Sequence, residues 1–62
     1  MKLGDRIFEE RVRRRLSLRK FAELLDVNYN SVWQYENGVT IPNKLNERIL
    51  KDKLDILEKE EV

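Results

Sequence analysis

The chain has no cysteine and no histidine, one proline, two glycines and no long apolar run. Without cysteine there is no disulfide framework and no thiolate metal site, and a reducing cytoplasm is the expected setting. Without histidine the commonest metal ligand and general base is missing. Both absences argue against an enzyme and against a resident metal or cofactor, and 62 residues leave little room for a catalytic cleft. No stretch approaches the ~20 apolar residues of a membrane span. Met1 to Ile7 also lacks the apolar run of a signal peptide. No repeat, linker or low-complexity segment divides the chain. The expectation is a single domain over residues 1–62, near the size at which an apolar core just suffices, with no membrane and no small-molecule ligand among its partners.

What the chain does have is charge, unevenly spread. Thirteen Lys/Arg face twelve Asp/Glu, a net +1. Residues 1–20 hold eight Lys/Arg against three Asp/Glu, a local +5; residues 21–42 sum to −3 and residues 43–62 to −1. The basic share includes Arg13, Arg14 and Arg15 at the end of a predicted first helix. There they complement the helix dipole and keep a small protein soluble, with long-range attraction to phosphates as the other reading.

The most informative stretch is residues 16–42. Ser17 is a good N-cap. After it Leu18, Phe21, Ala22 and Leu25 fall at i, i+3, i+4 and i+7, the buried stripe of an amphipathic helix. Ala22, small and mid-stripe, lets a second helix cross closely. Asp26 stands where a helix ends in a left-handed residue, Val27 is placed to plug the space between two helices, and Asn28 can cap the second. The spacing thus predicts two short helices joined by a three-residue turn over about 17–37, then a loop closed by Asn37-Gly38 and Pro42.

At ~100° per residue the second helix separates into two faces. Tyr29, Asn30, Trp33 and Gln34 share one side; Val32, Tyr35 and Glu36 lie on the other, with Ser31 at its edge. The first face is amide and aromatic without formal charge. Plain solvation is better served by Lys and Glu, so a face of this kind points to a partner.

These residues resemble the lambda-type Cro/CI repressor domain, the xenobiotic-response-element-type helix-turn-helix regulators of bacteria, phages and plasmids. The resemblance runs over residues 6–42 and rests on Arg6-Ile7, Arg11, Leu16-Ser17, Phe21-Ala22, Leu25, Val27, Val32, Glu36, Asn37-Gly38 and Pro42. It implies an all-α, lambda-repressor-like bundle of four or five helices whose second helix of the pair enters the major groove. It also implies an Arg11–Glu36 ion pair inside the domain; the alternative is two solvated surface charges. Three positions depart from the family pattern. Asp26 stands for its usual Gly, Leu18 replaces a phosphate-binding Gln, and no Gly after Gly38 provides the turn into a separate fifth helix.

The flanks follow from periodicity. A first helix is expected from about Asp5 to Arg15, with Ile7, Phe8 and Val12 inward and Leu16 closing the bottom. After Pro42 a helix over about 43–59 carries two apolar edges, Leu45/Ile49/Ile56 and Leu50/Leu54/Leu57. Two edges suggest two neighbours, the chain's own domain and a second copy, and Leu50, Leu54 and Leu57 are assigned to a homodimer contact; burial of the whole helix in one domain is the alternative. Lys59 to Val62 is expected to fray.

The expected function is sequence-specific binding of double-stranded DNA, as a transcriptional regulator, most simply a repressor occupying a palindromic operator in the cytoplasm. Asn30 and Gln34 can pair bidentately with adenine, and Tyr29 and Trp33 offer ring edges to thymine methyls. Asn28, Ser31, Asn37, Thr40, Asn43 and Lys44 are the phosphate and backbone candidates. The rival is a protein-interaction module of the same fold, antitoxin-like or a regulator's partner, docking through the Tyr29/Trp33 face.

Overall fold

The computed structural model describes residues 2–60, and among them it holds four α-helices. They are α1 (Leu3–Arg13), α2 (Leu18–Leu25), α3 (Tyr29–Glu36) and α4 (Lys44–Glu60). α1 and α2 each pack against both α3 and α4. The core between them is Ile7, Phe21, Ala22, Leu25, Val32, Leu50 and Leu54, rimmed by Leu3, Leu16, Leu18, Val27, Tyr35 and Leu57.

The pair α2–α3 forms for the local reasons its sequence gives. The Ser17 hydroxyl accepts from the Lys20 amide at 3.1 Å, and the Asn28 side chain accepts from the Asn30 amide at 2.8 Å. Between them Asp26 adopts φ 56°, ψ 44°, and its own N–H and that of Val27 return to the carbonyls of Glu23 and Ala22. This is the two-bond left-handed ending of a helix. It recurs at Arg15 (φ 58°), where Leu16 and Arg15 donate to Arg11 and Val12, and at Gly38 (φ 72°), where Val39 and Gly38 donate to Gln34 and Tyr35. A side chain at such a φ costs about 1–2 kcal/mol, least for Asn or Asp. The Arg15 stop was not legible from periodicity, so the expected helix overran by two residues.

α1 corrects a second expectation. Ile7 is fully buried, but Phe8 and Val12 are exposed, and the residue buried beside Ile7 is Glu10, at 4 % exposure. The rotation of the helix is fixed at two points. At Gly4 a Cβ would stand 2.0 Å from the carbonyl oxygen of Tyr35, so α1 passes α3 at backbone contact. One turn further on than Ile7, Arg11 bonds Glu36. With those two contacts on the α3 side, the i+3 step from Ile7 points Glu10 inward and carries Phe8 and Val12 out. The Arg11 guanidinium lies 5.5 Å from the Phe8 ring centroid and covers part of it.

Glu10 is buried because cations surround it. Arg6, Arg13 and Arg14 all bond its carboxylate, Arg14 at 2.8 Å. Burial pushes this carboxyl up, but hydrogen bonds to Glu58, Arg14 and Arg13 outweigh it and hold it down at about 2. Glu58 on α4 is pushed up instead, first by that hydrogen bond and then by the Glu10 charge. Arg6 links the two helices, reaching Asp55 at 2.6 Å and Glu58 at 3.5 Å. Its own value rises, chiefly through the hydrogen bond to Asp55.

α4 is one continuous helix, capped by Asn43, whose side chain accepts from the Asn46 amide at 2.8 Å. Leu50 and Leu54 are buried in the domain core, with Leu57 packed against it. They are therefore not the dimer contact the sequence suggested. Of the two apolar edges this one meets α1 and α2, leaving Leu45, Ile49 and Ile56 exposed. Lys53 ties the same side to α2 by donating to the Leu25 carbonyl. Lys59 and Glu60 are helical, while Glu61 and Val62 lie outside the described residues.

Candidate nucleic-acid interface

An eight-residue helix is marginal in isolation, so the aim of α3 is set by what grips it. Val32 is fully buried and Tyr35 packs against the core. At the far end Arg11 forks onto Glu36, Nε to Oε2 at 3.0 Å and Nη2 to Oε1 at 3.1 Å. Its remaining Nη1 donates to the Leu16 carbonyl at 3.1 Å. Bidentate geometry of this kind fixes direction as well as distance. The Glu36 side chain is 5 % exposed and that of Arg11 20 %. The pair is internal, not two solvated charges.

With α3 held this way, its opposite side faces out. Tyr29 and Trp33 are exposed, at 43 % and 46 %. Asn30 is exposed beside them, and Gln34 is half-buried at the edge. Thr40 Oγ1 lies 3.4 Å from Gln34 Oε1 and can donate to it, which steers the amide and leaves its Nε2 hydrogens directed elsewhere. Ser31 is half-buried on the flank toward α4, in a shallow groove it shares with Val27, Tyr35 and Ile49. The four residues assigned to base reading thus occupy one continuous surface.

The backbone-contact candidates divide. Asn28 stands at the α3 N-terminus with its oxygen already engaged as cap. Asn37 donates through Nδ2 to the Trp33 carbonyl at 2.8 Å and closes the other end of the same helix. Thr40 joins the surface through Gln34. Asn43 spends its oxygen on the α4 cap and keeps its amide hydrogens. Lys44 opens α4 and shares a hollow with Glu47, Arg48 and Lys51, all of them on α4 itself.

One residue was missed. Arg19, in the first turn of α2, places its guanidinium 5.6 Å from the Tyr29 ring centroid. With Asn28 and Tyr29 it lines a shallow hollow between the starts of α2 and α3. It gives an otherwise uncharged face a cation. Its signal lay in the sequence: Arg19 precedes Ala22 by three residues, so it stands on the side of α2 that the second helix crosses.

Among the described residues no group of three or more acidic side chains could hold a metal ion, and no helix is long and apolar enough to cross a membrane. Compared with protein-family models, with curated proteins and with solved structures, the chain matches none.

Proposed function

We propose that the chain is a helix-turn-helix regulator of the lambda-repressor-like kind, which binds a specific double-stranded DNA sequence through the outer face of α3. The observation that carries this reading is the outward set of exposed Tyr29, Asn30 and Trp33 with half-buried Gln34 at its edge, on a short helix clamped from behind. Two amides there match the donor–acceptor edge of adenine in the major groove. The α3 N-terminus, with Asn28, Ser31 and Arg19 around it, provides partial and full positive charge for a phosphate. Thr40 and Asn43 supply neutral donors on the loop side, and Lys44 a cation further along the backbone. A homodimer on a palindromic site, repressing by occupancy, is the simplest mode of action. No catalytic step and no cofactor belong to it.

Selection of bound sequences from a random duplex pool tests the reading, with a palindromic consensus as the expected outcome. On that consensus Asn30→Ala or Gln34→Ala should cost about 1–3 kcal/mol, with little change on random DNA. Arg19→Ala should weaken both and lower the salt slope by about 1. Trp33 emission should be quenchable in free protein and shielded on DNA. No enrichment, together with affinity for a protein that barely responds to salt, would transfer the Tyr29/Trp33 face to the antitoxin-like docking role.

A further inference from the structure

Among the described residues the outer edge of α4 is left largely open, with only Ile49 bordering the shallow groove beside Ser31, Val27 and Tyr35. Leu45, Ile49 and Ile56 are 68 %, 41 % and 55 % exposed on a helix whose other edge is sealed in the core. Their spacing is ordered. Leu45, Ile49, Asp52 and Ile56 follow one another at steps of four, three and four, the alternating seam of a two-stranded coiled coil. Isolated exposed aliphatics need no explanation; a seam of this period does.

We infer that this edge pairs with the same edge of a second copy, the two α4 helices running antiparallel. The inference rests on the dimeric part of the functional reading and names its surface. Charge selects both the occupant and the direction. In an antiparallel pair the seam layers are Leu45 with Ile56 and Ile49 with Asp52 of the second copy. The position flanking the seam on one side is then occupied by Arg48 and Asp55, each facing the other across the two-fold axis. In a parallel pair Arg48 would meet Lys53 of the second copy, and Asp55 would meet Glu60. Both are like-charge contacts, which disfavour that arrangement. Arg48 has no ion pair within its own chain among the described residues. Asp55 has only Arg6, and its side chain is still more than half exposed. Asp52 in the seam weakens the association and fixes its register, as one polar seam residue does in other coiled coils.

Sedimentation equilibrium from about 1 µM to 1 mM is the first measurement, and a reversible monomer–dimer equilibrium is expected. Ile56→Glu and Leu45→Glu, both at exposed positions, should give monomers with unchanged helical circular dichroism. Arg48→Glu should loosen the dimer about tenfold. Because the chain has no cysteine, introduced ones report direction. A mixture of Leu45→Cys and Ile56→Cys chains should form a mixed disulfide dimer, and neither chain alone should. A wild type monomeric throughout the range overturns the inference, as does a dimer indifferent to both glutamates or a Leu45→Cys chain that links to itself. A monomer that still enriches a DNA sequence would sink this pairing and leave the DNA reading standing. The dimer without enrichment would do the reverse.

Discussion

The first three helices and the fourth are built on opposite principles. α1, α2 and α3 have 11, 8 and 8 residues, and each stops at a left-handed residue. They are held to one another at points: the Gly4 contact, the Arg11–Glu36 fork, the Ser17 and Asn28 caps. α4 has 17 residues and is held along a stripe of leucines, with salt bridges at one end. A point-held helix has its rotation dictated by a few atoms, which suits the base-reading role proposed for its outer face. A stripe-held helix tolerates sliding and can offer its other edge to a partner. Damage to the two should differ accordingly: loss at a point should be abrupt and confined to α3, while truncation along α4 should be graded.

The largest expected effect is at Glu36. Removing it strands the Arg11 guanidinium in a place where the fork is its main neutralisation, so Glu36→Ala should destabilise by about 3–5 kcal/mol. Denaturant melts measure this directly. A loss below ~1 kcal/mol would mean that α3 does not depend on the fork, and the point-held description of that helix would fail.

Gly4 is the next test. A methyl group there meets backbone, not a movable side-chain end, so α1 or α3 must shift. Gly4→Ala should cost about 1–3 kcal/mol, although alanine is the better helix former. The readout that sharpens the comparison is Trp33 emission, which should change with the tilt of α3. A stabilised Gly4→Ala protein would show that the first turn of α1 yields without loss.

Between the two regions lies the Glu10 cluster, and it should make stability depend on acid. Glu10 titrates at about 2 in the folded chain, below its ordinary value. Its contribution is therefore complete above about pH 5 and disappears as pH falls toward 2. Glu58, raised, acts in the opposite sense, contributing below the ordinary carboxylate range and losing that contribution as pH rises through its own value. Glu10→Gln should cost on the order of 1–2 kcal/mol at neutral pH, and its melting curve should converge on wild type only as pH falls through about 2. A gap that stays constant with pH would reduce Glu10 to a packing role.

How far the sequence reached follows the same division. The α2–α3 pair was legible almost to the residue because caps, an aliphatic stripe and a turn residue all agreed there. α4 was legible as an element but not in its facing, since its two edges are equally apolar and period alone cannot say which one meets the core. α1 misled because hydrophobicity favoured Phe8 and Val12, whereas tertiary contacts at Gly4 and Arg11 decided the rotation and put a carboxylate inside. The outward residues of α3 were found by placing its residues at ~100° intervals, which set Val32 and Glu36 on the opposite face. Arg19 was overlooked because its neighbour, Tyr29, is adjacent only after two helices cross.

The smallest expected effect tests whether the stops of the short helices limit them. Three residues share the left-handed conformation with different side chains: Arg15, Asp26 and Gly38. Arginine has no short polar atom to compensate the conformation locally, aspartate has one, and glycine needs none. Arg15→Gly should therefore stabilise by about 0.5–1 kcal/mol, the relief of strain exceeding the added freedom of the unfolded chain. Asp26→Gly should gain less, within a few tenths of a kcal/mol. Gly38→Ala supplies the opposite sign. No atom lies within 4 Å of the added Cβ, so any loss reports backbone strain alone, about 1 kcal/mol. The ordering Arg15→Gly, Asp26→Gly, Gly38→Ala, read as thermal midpoints at one pH, is the outcome that supports it. A destabilised Arg15→Gly protein would show that the α1 stop depends on the Arg15 side chain and not on its φ, and the three short helices would no longer share one rule for ending.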